Sequence, residues 1–206
     1  RALAAGDPLQ FHADLFAACY DLRGLVGPGA EGLCREALRA ERSLAGPGEP
    51  TRDLASALDD LSPLMEALCL YGEAEGLHRE AVSAWRPLAV RDPEGCLPSL
   101  ALVCESLAYS LSDDGRFGEA EGLCREAVSA WRALADGGRR GALPWLLSSC
   151  QGLAHVLGEV GSLAEAVSAH REAVSVARSL AALDPERYLP SLATERWHLA
   201  LTLDEA

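Results

Sequence analysis

The sequence predicts an all-α fold, a solenoid of antiparallel helix pairs with about nine helices. A short segment containing Arg-Glu-Ala recurs four times, with its arginines at Arg35, Arg79, Arg125 and Arg171, which are 44, 46 and 46 residues apart. Within each repeat the apolar residues follow the 3.6-residue period of a helix. Segments rich in Gly, Pro and Asp separate these helical stretches. A period of this length is typical of repeat arrays, in which each repeat buries its apolar face against its neighbours.

The repeat at 96–141 shows how each helix pair is specified. Pro98 is expected to open the first helix, because Pro suits the first helical turn. Gly115 follows two aspartates and is expected to end that helix in a left-handed conformation. A second helix is predicted to begin near Arg116 and to stop at Asp136-Gly137-Gly138. Two helices joined by a short turn therefore form the unit.

This pattern extends over the whole chain as one solenoid. The predicted helices are 8–26, 29–46, 51–69, 72–91, 97–114, 116–136, 143–160, 162–183 and 188–204. The predicted repeats are 8–49, 50–95, 96–141 and 142–187, followed by an unpaired helix at 188–206. In the second repeat Pro63 interrupts the first helix and Cys69 replaces the turn glycine, which predicts a kink there. The unpaired last helix and the start at Arg1 without Met predict a fragment of a longer protein.

Composition restricts the class of partner. The formal net charge is −13, and no basic run exceeds two residues, which excludes nucleic acid and an anionic membrane surface as main partners. We find no apolar stretch of the roughly 18 residues that span a bilayer. The seven cysteines include no C-x-x-C pair. Free, buried thiols in a reducing compartment are the simplest interpretation, which predicts a cytoplasmic location.

Small residues recur where paired helices would meet. The pattern is clear from about residue 50 to 206 and loose at 8–49: a Leu midway along the first helix of a pair precedes a small residue, a Glu-Ala pair follows the turn, and a second alanine follows seven residues later. The small residues are Ser62, Ala108, Ala154 and Ala200, and the later alanines are Ala81, Ala127 and Ala173. This pattern resembles the tetratricopeptide repeat, in which small residues let the two helices approach closely. HEAT-type repeats share the period and are the alternative.

The period exceeds the roughly 34 residues of the usual tetratricopeptide unit. The chain resembles a long-helix variant found in high-GC bacteria and mushroom-type fungi, which carries a phrase like Asp-Pro-x-x-Tyr-x-Pro-x-Leu-Ala. Residues 184–193 match this phrase, and residues 92–101 match it with Cys in place of Tyr. The resemblance implies a right-handed solenoid. In that variant the repeats are sometimes fused to NTPase switch domains or CHAT-type proteases, for which they act as a sensor or a scaffold. The variant's usual Asn pair is absent here, so its ligand chemistry does not transfer.

The residue before each recurring arginine alternates between Cys34, His78, Cys124 and His170, which are potential zinc ligands. Equivalent positions in stacked helix pairs lie about 10 Å apart. Ligands of one zinc ion lie only about 2.0–2.3 Å from the metal, so this column is too widely spaced. Core packing is the expected role, and no metal or cofactor is predicted. No nucleophile elbow, phosphate loop or dinucleotide fingerprint occurs either, so no enzyme is predicted.

Helical phase places ten residues on or near a concave groove lined by the first helices. They are Asp59, Asp60, Glu66, Glu105, Tyr109, Asp113, Gln151, His155, Glu159 and Trp197. This acidic stripe with two aromatic anchors predicts a protein-interaction module that binds a basic peptide or a partner protein. The plain alternative is the solvated face of an acidic protein. A self-assembling homo-oligomeric array is the competing function, because the terminal helices are expected to expose apolar faces.

Overall fold

The computed structural model describes residues 50–67 and 69–206, together with Arg39 and Arg42. This part of the chain contains seven α-helices and a single 3₁₀ turn, Arg140–Ala142. The helices are α1 (Arg52–Ala67), α2 (Tyr71–Arg91), α3 (Pro93–Asp113), α4 (Phe117–Asp136), α5 (Leu143–Val160), α6 (Leu163–Leu183) and α7 (Pro185–Glu205). The all-α prediction is confirmed. The two helices predicted at 8–26 and 29–46 lie outside the described residues.

The chain divides into two compact units, Arg1–Pro98 and Ser99–Ala206. In the first unit α1 packs against α2, and in the second unit α4 packs against α5, α5 against α6, and α6 against α7. Helices that follow one another through short turns and pack in chain order give the sequential antiparallel arrangement that the repeat predicts. The fold is a TPR-like helical repeat.

The core consists of small aliphatic residues with a few large ones. On α4, Ala127, Val128 and Trp131 are each at most 2% exposed, and they occupy successive inward positions of the helix. The small residues Ala108 and Ala154 are also buried, as close helix approach requires. Ala200, at the same place on α7, is exposed. Small side chains therefore pack between helices where a neighbouring helix covers them.

The turns between paired helices share one backbone device. Gly115 and Gly161 have φ angles of 73° and 83°, in the left-handed region, and Cys69 has a φ of 62° at the same place in the first unit. In each turn the following residue donates its N–H to a carbonyl five residues back, as in Arg116 to Leu111 at 2.8 Å. Cys69 therefore takes the left-handed conformation that glycine has in the other two turns.

Two helices begin earlier than predicted, and the expectation that Pro98 opens its helix is wrong. α3 begins at Pro93 and α7 at Pro185, so Pro98 and Pro190 lie inside the helices. The Asp92 and Asp184 side chains provide the reason. Asp92 Oδ1 accepts the N–H of Gly95 at 3.1 Å, and Asp184 Oδ1 accepts the N–H of Arg187 at 3.2 Å. These caps satisfy donors of the first turn.

Among the described helices, α3 is long and apolar enough to cross a bilayer by length and composition. Its most apolar 18-residue window has a mean hydropathy of 1.2, and 44% of that window is buried inside the protein. The same test is passed by core helices that never meet a membrane. The finding is weak evidence for a membrane span.

Candidate functional site

A concavity of about 320 Å³ opens between α3, α4 and α5 in the second unit, and we call it the groove. Its polar and aromatic lining consists of Glu105, Tyr109, Ser112, Asp113, Phe117, Ser148, Ser149 and His155. Neither Arg nor Lys is among the described residues that line it. The groove thus combines two carboxyl groups with aromatic surface and carries no fixed positive charge.

One face of α3 supplies the acidic side of the groove. Glu105, Tyr109 and Asp113 are spaced four residues apart, so they lie one above another on that face. The Tyr109 side chain is 69% exposed, and Asp113 is exposed at the last position of the helix. Glu105 lies deeper, at the base of the groove. An arriving side chain would therefore meet an aromatic ring flanked by two carboxyl groups.

The Glu105 carboxyl group is held in place by two donors on neighbouring helices. Glu105 Oε1 accepts the Nε1–H of Trp131 at 3.0 Å and the hydroxyl of Ser149. Trp131 in turn stacks on Trp145, with ring centroids 5.6 Å apart. Burial raises the pKa of Glu105 to about 7, against a smaller lowering by the hydrogen bonds from Ser149 and Trp131. Near neutral pH this carboxyl group is therefore poised between its neutral and charged forms.

The opposite side of the groove is aromatic and apolar. Phe117, the first residue of α4, meets the imidazole of His155 edge to face, with ring centroids 6.2 Å apart. Cys124 also lines the groove, and burial raises the pKa of its thiol to about 11, with Glu105 and Glu121 adding to the rise. Its thiol is protonated at neutral pH and is therefore a poor nucleophile. The lining suits recognition better than covalent chemistry.

The structure brings together four of the residues that helical phase places in a groove, namely Glu105, Tyr109, Asp113 and His155. Three others in the same unit lie elsewhere. Gln151 donates its Nε2–H to Glu195, Glu159 is exposed on α5, and the exposed Trp197 ring lies 5.3 Å from the ring of His198. Sequence reasoning missed Phe117 and Ser149, because these side chains come from α4 and α5, the two helices that follow α3.

The remaining three predicted residues, Asp59, Asp60 and Glu66, lie on α1 in the first unit. Asp60 is exposed, whereas Asp59 is buried, and burial together with the neighbouring Asp60 raises the Asp59 pKa to about 8. Burial also raises the pKa of Glu66, whose Oε1 lies 3.8 Å from Nδ1 of the buried His78. The structure therefore places Asp59 in the core, where it offers no charge to a partner.

The recurring segment has the structural roles predicted for it. His78, Cys124 and His170 are each at most 9% exposed, which confirms core packing for three members of this column, and Cys34 lies outside the described residues. Arg79 and Arg125 form exposed pairs with Glu75 and Glu121, at 2.6 Å and 2.9 Å. Arg125 also pairs with Glu165 on α6. Arg125 therefore links neighbouring repeats at the surface, and of this segment Cys124 and Ala127 contribute small side chains to the groove lining.

The described cysteines carry free thiols. Cys96, Cys104, Cys124 and Cys150 are buried and Cys69 is exposed. Burial also raises the pKa of Cys150 to about 12, with Glu172 adding to the rise and Arg132 opposing it. The four buried thiols behave as small apolar core residues, in line with the expectation from composition, whereas Cys69 does not.

Comparison with known proteins agrees with this geometry. A tetratricopeptide repeat family model matches residues 100–136, which span most of α3 and all of α4. The chain is a TPR-like repeat protein. No curated protein matches its sequence.

Solved structures with the same fold include BtubC (BKLC) from P. vanneervenii, with a TM-score of 0.64 and 21% identity over 99% of this chain and 77% of that one. A putative kinesin light chain of Podosopora anserina with nearly identical TPR-like repeats has a TM-score of 0.60 and 18% identity, covering 93% of this chain and 85% of that one. A single-residue variant of those repeats has a TM-score of 0.57 and 19% identity, covering 94% and 91%. Identities this low show a shared fold alone.

Proposed function

We propose that this chain is a protein-interaction module whose groove binds a segment of a partner protein through an Arg or Lys side chain. The observation that carries the proposal is the partly buried carboxyl group of Glu105, which lines a concave, solvent-open site. TPR-like repeats generally mediate protein binding, and the comparisons support that general role. The module has no catalytic step in this proposal.

Charge favours a cationic side chain as the occupant. Glu105 and Asp113 lie on one face of α3, and no Arg or Lys among the described lining residues balances them. Both hydrogen bonds to Glu105 go to Oε1 and none of the described residues donates to Oε2, which leaves that oxygen for an incoming donor. A guanidinium group presents several N–H donors in a plane that suits a carboxylate, and its aliphatic stem can pack on an aromatic ring such as Tyr109.

The effect of Glu105 on the stability of the fold is a second observation that supports a binding role for the groove. A carboxyl group with a raised pKa destabilises the folded chain once the pH passes its ordinary value, because ionisation is easier in the unfolded state. A glutamine at 105 would keep an acceptor for Trp131 without that cost. Groups that destabilise the fold and open to a cleft are candidates for binding sites. Glu105 has both properties.

Selection from a random peptide display library tests the proposal. The unmodified chain is the bait, and Asp113→Lys is the groove variant. Asp136→Lys is the matched control, because both aspartates are exposed last residues of their helices and only Asp113 lines the groove. We expect enriched peptides to contain Arg or Lys and to bind the control but not the groove variant. Peptides that bind all three proteins equally would overturn the proposal.

The resemblance to repeat arrays that are fused to effector domains extends the proposal. By its resemblance to the long-helix variant, the module is a cytoplasmic sensor or scaffold for an effector on the same or an associated chain, such as a CHAT-type protease or an NTPase. The sequence of the full-length gene tests this extension directly. A gene without an effector domain, whose product co-purifies with none, would contradict it.

A second candidate function is self-association through α7. Leu189, Trp197 and Leu201 lie on one helix face at four-residue multiples and are 54%, 60% and 44% exposed. An apolar stripe of this kind is typical of an interaction surface, and a second copy of the chain offers the same stripe. Sedimentation velocity of the unmodified chain and of a Trp197→Ser, Leu201→Ser variant tests the idea. A monomeric unmodified chain at tens of micromolar would rule it out.

A further inference from the structure

Two side chains on α7 and one on α6 lie close together and are of types that can ligate a metal ion. His170 lies on α6, and Glu195 and His198 lie on α7, three residues apart and so on one face of the helix. One ligand atom from each residue lies within 4.8 Å of the other two. Among the described residues, these are the three His, Cys, Asp or Glu side chains whose ligand atoms all lie within 4.8 Å of one another. The three converge on one point between the helices.

Glu195 is the centre of the group, and its side chain is 0% exposed. Its Oε2 lies 3.5 Å from Nδ1 of His170, and its Oε1 lies 3.6 Å from Nδ1 of His198. Ligand atoms on a tetrahedral zinc ion, with bonds of about 2.0–2.1 Å, lie about 3.3–3.4 Å apart. The two measured separations, each to a different oxygen of Glu195, lie close to this value.

Two of the coordinating atoms lack other partners in the described part of the chain. Glu195 Oε2 and His170 Nδ1 are both buried and accept or donate no hydrogen bond. A buried carboxylate without compensation is costly, and buried charges in proteins are normally paired or bound to metal. Gln151 donates its Nε2–H to Glu195 Oε1 at 2.6 Å. An outer hydrogen bond of this kind orients a ligating carboxylate.

We propose that His170, Glu195 and His198 bind a divalent transition-metal ion of the Zn²⁺ class. Two imidazoles and a carboxylate are ligands that zinc accepts, and three protein ligands leave a fourth position open for water or a ligand from a partner. His198, with a side chain that is 40% exposed, gives the ion a route from solvent. The bound ion cross-links α6 to α7.

The sequence predicts no metal site, because that prediction rests only on the spacing between equivalent positions of successive repeats. His170 belongs to that column, and the distance argument against its other members is unaffected. The partners of His170 lie instead on the next helix, at positions that do not recur. The corresponding residues after the earlier histidine, His78, include no such pair among the described residues, so the site belongs to one repeat.

Zinc titration of the full chain tests the proposal. Metal-free protein carrying Cys69→Ser, which removes the one exposed thiol among the described cysteines, competes with a chromophoric chelator for added Zn²⁺. We expect one ion per chain, and a loss of affinity in His170→Ala and in His198→Ala that exceeds the roughly 10- to 100-fold expected for Gln151→Ala, which removes only an outer hydrogen bond. His155→Ala, an exposed histidine on α5, is the matched control and should bind zinc as the parent does.

Two further measurements keep the test independent of folding. His198 is partly exposed, so His198→Ala should retain the circular dichroism of the parent, and added Zn²⁺ should raise the Tm of the parent but not of this variant. The Co²⁺-loaded parent should show ligand-field bands without thiolate charge transfer. No zinc binding by the parent, equal affinity in His198→Ala, or a thiolate band from Co²⁺ would each overturn the proposal and leave His170 and Glu195 as a simple ion pair.

Discussion

Replacing Glu105 with glutamine should stabilise the folded chain at alkaline pH and have little effect at acid pH. Glutamine has nearly the shape of glutamate, and its side-chain oxygen can still accept the Nε1–H of Trp131. The substitution removes the ionisable group and leaves the volume of the side chain nearly unchanged. Its effect on stability therefore reports the cost of ionising the Glu105 carboxyl group in the folded protein.

The magnitude follows from the two pKa values of Glu105. Its pKa is about 7 in the folded chain, where burial raises it, and 4.5 is the ordinary value that applies after unfolding. Between these values the folded state holds a proton that the unfolded state has released, so stability falls as the pH rises through this window and levels off above about 7. A difference of about 2.5 corresponds to about 3 kcal/mol at most.

Urea denaturation followed by far-UV circular dichroism measures this effect at about pH 5 and about pH 8. Glu105→Gln should raise the free energy of unfolding by about 1–3 kcal/mol at the higher pH and by much less at the lower pH. Glu159→Gln, at an exposed carboxylate on α5, should change it by less than about 0.5 kcal/mol at either pH. An effect of Glu105→Gln that does not depend on pH would refute the reasoning.

Three further predictions concern stability. Cys69→Gly should raise the free energy of unfolding by about 0.5–1 kcal/mol in urea denaturation, because Cys69 has a left-handed φ of 62° that glycine adopts without strain; Gly161→Ala, with a φ of 83°, should lower it by about 1 kcal/mol as the converse control. Asp59→Asn should stabilise the chain increasingly from about pH 4 to about pH 8, by at most about 6 kcal/mol, because burial and Asp60 raise the Asp59 pKa to about 8; parallel pH curves for variant and parent would contradict this. Arg132→Gln, which breaks an exposed pair with Glu172 at 2.7 Å, should lower the free energy of unfolding by about 1 kcal/mol or less and lower Tm slightly. Both losses should shrink at high salt.

The repeat predicts the fold well because helix pairing depends on residues that are close together in the sequence. The turn glycines, the small residues between helices and the 3.6-residue apolar period all act within a few residues of their position. The helices α3 and α7 begin before the predicted 97 and 188, because the capping aspartates Asp92 and Asp184 decide the start and Pro98 and Pro190 do not. Pro is tolerated in the first turns, so it marks a helix start less sharply than a cap does.

The groove is only partly predictable for a related reason. Helical phase places Glu105, Tyr109 and Asp113 on one face, and the structure agrees because all three lie on α3. Phase alone does not show which neighbouring helix covers a side chain. It therefore assigns Gln151 to the groove, although Gln151 hydrogen-bonds to Glu195 on α7. Cross-helix contacts of this kind depend on the packing of two elements and leave no pattern in either one.

The affinity of a selected Arg-bearing peptide, measured by calorimetry at about pH 6 and about pH 8, tests the central claim most directly. Because the Glu105 carboxyl group loses its proton near pH 7, binding of a cation should tighten as the pH rises, and Glu105→Gln should weaken binding and reduce this pH dependence. His155 also lines the groove, so His155→Gln is measured in parallel and should retain the dependence due to Glu105. Equal affinities at both pH values, unchanged in Glu105→Gln, would contradict the assignment of the groove as a site for a cationic partner.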